Sequence, residues 1–374
     1  MTECPSCHVA VASSEQFCEA CGAELSPTVA TEEAAPSGVS PQASPAPDDL
    51  STTAATCQAC GGDVISDGYC GTCGARAPTL RDHFTEQPAA WVAGVCDRGI
   101  RHPRNEDAVA LAADDEPVSR AVIVVCDGVS NSIDSDVASL AAARAARDLL
   151  ASSRSRGMGT ASSLVAAVIA RLEAATDAAS EAVIEVTRVA KVGAATGNPA
   201  SCTFVAAVVE EGLLVVGSVG DSRVYWLPDA GTAVALTVDD SFAQEQIASG
   251  VPRAEAETGP MSHGITRWLG VDAPDHSPTT ATMTLAEPGW ILVCSDGLWN
   301  YCSEAQDLAT LVRKTSGSSP VAAEPLTAEP LTAEPLTLAA ALVDWANAQG
   351  GQDNISVALA RIDSPAPRST REEA

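Results

Sequence analysis

The chain has 374 residues, 46% of them hydrophobic, enough for two or three domains and a sizeable core. Its net charge of -28 argues against nucleic acid or an anionic membrane as the main partner. No apolar stretch is long enough to span a bilayer, and the opening "MTECPSCHVA" lacks a basic segment followed by an apolar one. The expectation is a cytoplasmic protein with no membrane insertion.

Eight of the 13 cysteines fall before residue 75, as Cys4-x-x-Cys7, Cys18-x-x-Cys21, Cys57-x-x-Cys60 and Cys70-x-x-Cys73. In a cytoplasmic setting this spacing argues for metal rather than disulfides. Two such elements place four thiolates tetrahedrally around one Zn²⁺, and glycines after Cys21, Cys60 and Cys73 suit the tight turns. Residues 1–25 and 56–76 are therefore expected to be zinc ribbons, each holding one structural Zn²⁺ that supplies the folding energy a tiny core cannot. Their surface is acidic, which favours protein docking over nucleic acid. Residues 26–55 are Ala, Pro, Ser, Thr and Glu, a flexible linker, and 77–90 reads as a second, shorter one.

From Trp91 the composition becomes that of a folded domain, expected over 91–362. "WVAGVCDRG" and "AVIVVC" read as strands. "IDSDVASLAAARAARDLLASS" reads as a helix with Asp134 or Ser135 as N-cap, and the stretch from Ala161 to Lys191 as a second. A dense strand series follows: "SCTFVAAVVE", "GLLVVGSVG", "SRVYWLP" and "WILVCS". Helices are expected near 303–313 and 338–348, then a last strand, "NISVALARI". Between those helices "AEPLT" repeats three times over 323–337, read as a low-complexity loop because each unit carries a proline. Residues 363–374 are a polar tail, expected to be disordered. Strands, two helices, strands, two helices and a strand make an α+β sandwich, not alternating βαβ units.

Acids recur at strand ends and in loops beside glycines: Glu106 and Asp107 in "RHPRNEDAVAL", Asp127 in "VVCDGVS", Asp221 in "VGSVGDSRVYWL", Asp296 in "ILVCSDGLWN" and Asp353 in "GGQDNISVALARI". Alone, Asp127-Gly128 would be a turn. Several carboxylates converging at one edge of a sandwich repel one another unless cations neutralise them. Oxygen donors of this kind suit Mg²⁺ or Mn²⁺, and the Gly128 carbonyl can join them because no side chain blocks its approach.

These motifs, in this order, resemble the metal-dependent serine/threonine protein phosphatases of type 2C, the PPM family. The resemblance runs through "DRGIRHPRNED", "CDGVSNS", "SCTF", "VGDSRVYWL", "LTVDDS", "ITRWLG", "LVCSDGLW" and "GGQDNISV". It implies a four-layer αββα sandwich, two stacked mainly antiparallel sheets flanked by helices, with a binuclear Mn²⁺ or Mg²⁺ centre at one end. Carried over, Asp127 bridges both metals, Asp107 and the Gly128 carbonyl serve the first, and Asp296 and Asp353 the second. Glu106 holds a ligand water, and Asp221 holds a third, weaker metal. The implied reaction is hydrolysis of phosphoserine and phosphothreonine on proteins, a bridging hydroxide attacking phosphorus in line between cations about 3.5–4 Å apart. Phosphoproteins are the implied substrates and Ser/Thr protein kinases the opposing partners.

The sequence departs from the family twice. The family's phosphate-binding Arg lies five residues before the first motif's Asp, and here that position is His102. Arg101 is expected to take the phosphate, with Arg104 as the alternative, and His102 to assist the phosphate or the leaving group. After Gly128, "VSNS" replaces the family's usual residues, removing the His that some members place there. The alternative reading is a catalytically weak pseudophosphatase that binds phosphoproteins and works as a scaffold through its ribbons.

Overall fold

In a computed structural model of the chain, the residues described are 2–3, 10–11, 56–57, 60–65, 68–190, 198–259, 261–317 and 334–363. Cys4, Cys7, Cys18 and Cys21, the 26–55 linker, most of the AEPLT repeat and the tail after Asp363 lie outside them. The N-terminal unit, Met1–Ser44, contributes one antiparallel pair, β1 (Thr2–Glu3) with β2 (Ala10–Val11).

The second unit, Pro45–Ala374, holds the remaining elements. In chain order they begin with β3 (His83–Ala89), β4 (Val92–Asp97), β5 (Ala108–Ala113), β6 (Arg120–Cys126), α1 (Ser135–Ala151) and α2 (Ala161–Ala190). Next come β7 (Ser201–Cys202), β8 (Phe204–Glu210), β9 (Leu213–Val219), β10 (Arg223–Pro228), β11 (Val234–Ala235), α3 (Phe242–Ala248) and α4 (Arg253–Ala256). The last are β12 (Leu269–Gly270), β13 (Thr279–Thr284), β14 (Gly289–Cys294), α5 (Asp296–Trp299), α6 (Ala305–Ser316), α7 (Pro335–Gln349) and β15 (Ile355–Ile362).

Two antiparallel sheets result, six strands in the order β11-β10-β14-β15-β4-β3 and five in the order β13-β9-β8-β6-β5. The period-two alternation of strand side chains sorts the apolar residues into three layers. From β6, Ile123 and Val125 point between the sheets, packing with Ile291, Val293 and Ala358, while Val124 and Cys126 face the helices. Ala138, Ala142, Leu172 and Val183 of α1 and α2 cover that outer face of the five-stranded sheet. On the six-stranded sheet, Leu292, Val357 and Leu359 pack against Leu308 of α6 and Leu342 of α7. The architecture is the expected four-layer αββα sandwich, in which strands buried on both faces read as continuous apolar runs.

Two local expectations change and one is met only in part. The stretch 77–90, read as a linker, contains a 3₁₀ turn at Leu80–Asp82 and the edge strand β3, paired with β4. Pro88 made it look irregular, but an edge strand tolerates proline. Asp134, one of the two N-cap candidates, is the N-cap residue of α1, but its backbone is left-handed (φ 48°) and its side chain makes no cap bond, while Ser135 opens the helix and its hydroxyl is used elsewhere. The third AEPLT unit enters α7, whose first residue is Pro335, where a proline's missing N–H costs nothing.

Among the described residues no helix is long and apolar enough to cross a membrane.

Candidate metal centre

The strand register brings the acids together. Asp107 immediately precedes β5 and Asp127 immediately follows β6, and the adjacent Ala108 and Cys126 are paired. On the other sheet Asp296 follows β14 and Asp353 precedes β15, close to the Cys294–Val357 pair. Asp221 lies where the chain leaves β9 in one sheet for β10 in the other, and Arg223 pairs with Cys294. All five acids therefore lie at one end of the sandwich.

Their surroundings do not neutralise them. Asp107 is fully buried, and burial pushes its carboxyl up to about 7 although Ser295 Oγ donates to its Oδ2 at 2.7 Å. Burial and the Asp239 charge raise Asp221 to about 7 as well. Asp127, partly buried at its surface but ringed by protein, is pushed well above the carboxylate range by desolvation and by Asp107, Asp296 and Asp353. Asp296 shifts the same way through burial and the Asp353 and Asp221 charges. Buried acids of like charge shift up because desolvation and mutual repulsion both disfavour the charged form.

Two oxygens, Asp107 Oδ1 and Asp296 Oδ1, are buried without a hydrogen-bond partner. Orphaned carboxylate oxygens at a mutually repelling cluster are what a divalent cation satisfies, so the donor set fits Mg²⁺ or Mn²⁺. The carboxylates are spread rather than clenched. Among the described residues only the Cys57, Cys60, Cys70 and Cys73 set has its donor atoms all within 4.8 Å of one another.

The scaffold around the acids is polar and tight. Asp127 N donates to Thr203 Oγ1 (3.0 Å), Thr203 N returns a bond to Asp127 O (2.7 Å), and Ser222 Oγ lies 2.9 Å from the Thr203 hydroxyl. A Cβ on Gly128 would sit 2.6 Å from the Glu106 carbonyl oxygen and 2.8 Å from that of Ser135, so only glycine lets these segments meet. Asn354 Oδ1 accepts from Glu106 N (2.7 Å), and its Nδ2 donates to the Arg98 and Arg104 carbonyls, stitching the two acidic motifs together.

Glu106, expected to hold a ligand water, has its oxygens engaged by protein. Oε1 accepts from Arg104 Nη2 (2.6 Å), Arg104 Nε (2.9 Å) and Ser135 Oγ (2.5 Å). Of the three phosphate-site candidates, Arg104 is thus tied to Glu106. Arg101 is exposed, and among the described residues its guanidinium makes no hydrogen bond or ion pair. His102 faces the acids, its Nε2 3.2 Å from Asp353 Oδ1 and its Nδ1 3.6 Å from Glu106 Oε2.

The segment between Val238 and Pro260, beside the acids, is anchored by charge. Arg223, nearly fully buried, stacks 3.6 Å from the Trp299 ring centroid and pairs with Asp239 (2.6 Å) and Glu257 (3.0 Å). Thr266 N bonds to Asp240 O, and Arg267 pairs with the Asp240 carboxylate, so both fix this loop. Sequence reasoning missed Ser135, Ser295, Asn354 and Asp239. Ser295 and Asn354 adjoin Asp296 and Asp353 in their motifs, which was the available signal.

In the second ribbon, Cys57 and Cys70 are buried while Cys60 and Cys73 are exposed. The Cys73 and Thr72 backbone N–H groups pull the Cys70 thiol down to about 6. Cys60, although the Gly62 N–H opposes it, is raised to about 12 by the neighbouring thiols. Four thiols this close share little negative charge until a cation joins them, which suits tetrahedral Zn²⁺.

A four-layer sandwich with acids from both sheets gathered at one end defines an αββα protein with a carboxylate-rich site. The chain belongs to the protein phosphatase 2C family, whose model matches residues 100–333, and residues 4–79 match the double zinc ribbon model. The serine/threonine phosphatase stp of Listeria welshimeri is 30% identical over 163 residues, 43% of this chain. The chain spans 57% of the length of that relative. A serine/threonine phosphatase from Staphylococcus aureus shares the fold at 22% identity, with a TM-score of 0.56 over 73% of this chain and 95% of that one. So does the catalytic domain of the phosphatase PstP, solved with two manganese ions, at 24% identity and a TM-score of 0.53 over 73% and 98%.

Proposed function

We propose that the chain is a Mn²⁺- or Mg²⁺-dependent phosphatase that hydrolyses phosphoserine and phosphothreonine on proteins. The observation that carries this reading is the convergence of Asp107, Asp127, Asp296 and Asp353 with two orphaned carboxylate oxygens. Asp127 would serve both cations, Asp107 and the Gly128 carbonyl the first, Asp296 and Asp353 the second, and Asp221 a third. When bound, the cations supply an activated water and neutralise phosphate charge.

The chain's own groups do the rest. Thr203, Ser222, Ser295 and Asn354 hold the acids in place, so little reorganisation accompanies reaction. His102 stands at the rim, where it can orient a phosphate oxygen or pass a proton to the leaving alkoxide. Arg101, unpaired beside it, is free to bind the phosphate dianion. The Cys57, Cys60, Cys70 and Cys73 set would hold one structural Zn²⁺, and Cys4, Cys7, Cys18 and Cys21 a second. The reaction would oppose Ser/Thr protein kinases, with the cytoplasm as the proposed setting, and the acidic ribbons would bind protein. The intact set of acids counts against a non-catalytic scaffold.

The test is phosphate release from a phosphothreonine peptide by the purified full chain. Turnover should vanish with a chelator and return with Mn²⁺; no turnover at saturating Mn²⁺ overturns the reading.

A further inference from the structure

We propose that Arg76, in the second ribbon, is a positioning residue for the loop carrying Arg101, His102 and Arg104. The ribbon would then be part of the apparatus that presents the phosphate site. The inference rests on the phosphatase reading for its kinetic consequence, but its structural content stands apart.

Arg76 is fixed in the ribbon by pairing with Tyr69, while the neighbouring Ala75 O accepts from Cys70 N (2.8 Å) and Ala77 N donates to Gly68 O (2.8 Å). Cys70 is one of the four clustered thiols, so the zinc knuckle and Arg76 share one small frame. From that frame Arg76 Nη1 donates to the Pro103 carbonyl at 3.0 Å and to Asp82 Oδ1 and Oδ2 at 3.2 and 3.3 Å. Asp82 passes the connection on: its carbonyl accepts from Arg98 N (2.8 Å), and Arg98 Nη1 donates to the His102 carbonyl at 2.7 Å.

Two consecutive carbonyls, those of His102 and Pro103, are thus held by guanidinium groups. The side chains flanking them are His102, facing Asp353, and Arg104, paired with Glu106. Pro103 has no N–H, so the loop cannot brace itself there with a backbone donor. A half-open pocket of about 190 Å³ lies in the seam, lined by Ala75, Ala77 and Pro78 as well as by Arg76, Asp82 and Arg98. Across it, the Arg76 guanidinium supplies directed polar bridges between ribbon and loop. Losing the Arg76 bridge frees the Pro103 carbonyl and loosens the residues on either side of it.

The experiment uses the full chain loaded with zinc and Mn²⁺, with a phosphothreonine peptide as substrate. Arg76→Ala should raise KM about tenfold with little change in kcat, because the lost element is orientation of the phosphate-facing loop. Zinc content should stay at the wild-type level, while backbone hydrogen exchange across residues 98–104 accelerates. Arg76→Lys should restore most of both, since every contact described comes from one donor atom. Asp82→Ala, which leaves the ribbon untouched, should shift KM in the same direction. Wild-type KM and exchange in both alanine variants, or a lysine variant as impaired as the alanine one, would overturn the inference. An inactive wild type would instead overturn the phosphatase reading, and the exchange measurement would still decide this one.

Discussion

His102 Nε2 lies 3.2 Å from Asp353 Oδ1, joining two segments about 250 positions apart in the chain at the rim of the acidic cluster. The contact places an imidazole where the resemblance to the family implies a guanidinium. If His102 handles the phosphate or the leaving-group proton, His102→Ala should lower kcat/KM for a phosphothreonine peptide by roughly 10²-fold, the usual weight of a positioned acid or base. Mn²⁺ affinity, read by calorimetry, should change far less. An unchanged kcat/KM would move the role to Arg101.

Metal binding should be visible as stability. A cation that binds only the folded chain stabilises it by mass action, about 2.7 kcal/mol at a hundred times its Kd. Thermal unfolding should therefore move upward with Mn²⁺ in the wild type. It should move much less in Asp127→Asn, which removes the carboxylate that the other acids surround and repel. Equal shifts in both proteins would place the bound metal elsewhere.

Gly128→Ala tests the close approach of three segments. Its Cβ would press on the Glu106 and Ser135 carbonyls at 2.6 and 2.8 Å, neither the end of a flexible side chain. The backbone must shift, at about 1–3 kcal/mol. Denaturant unfolding should report that loss, accompanied by weaker Mn²⁺ binding because Asp107 and Asp127 flank the strained contact.

One ion pair should give a pH signature of its own. His83 and Asp97 are directly paired across β3 and β4, with Nδ1 and Oδ2 2.7 Å apart. Asp97's hydrogen bond raises the His83 pKa above its ordinary 6.5. Burial works to raise Asp97, but His83 and Asn347 overcome it and hold it below 3.8. The His83 contribution is complete below pH 6.5 and fades as pH rises through its folded value. The Asp97 contribution is complete above pH 3.8 and fades as pH falls through its own. The stability difference between wild type and His83→Ala should therefore peak between those two values and shrink above neutrality. Since His83 is more than half exposed, the peak should stay below about 1 kcal/mol. A difference that grows with pH would contradict the pairing.

The acids were legible in the sequence because each is delivered by a strand buried on both faces. A run such as "AVIVVC" announces both the layer and the place where it ends. What supports the acids was not legible. Ser135 looked like a helix cap and instead donates to Glu106; Ser295 and Asn354 carry no pattern of their own, and their roles depend on contacts across the sandwich. Strand β3 was hidden by Pro88 and a half-polar sequence, since an edge strand buries little. The Arg76 bridge joins stretches that composition had separated by a linker.

The central claim, that these carboxylates hold catalytic cations, is tested most directly by phosphate release from a phosphothreonine peptide by Asp296→Asn at saturating Mn²⁺. The substitution preserves side-chain size and removes one ligand charge next to an orphaned oxygen. We expect turnover to fall by about 10²–10³-fold, the scale of losing an electrostatic stabiliser of the transition state. Turnover within a few fold of the wild type would contradict the claim.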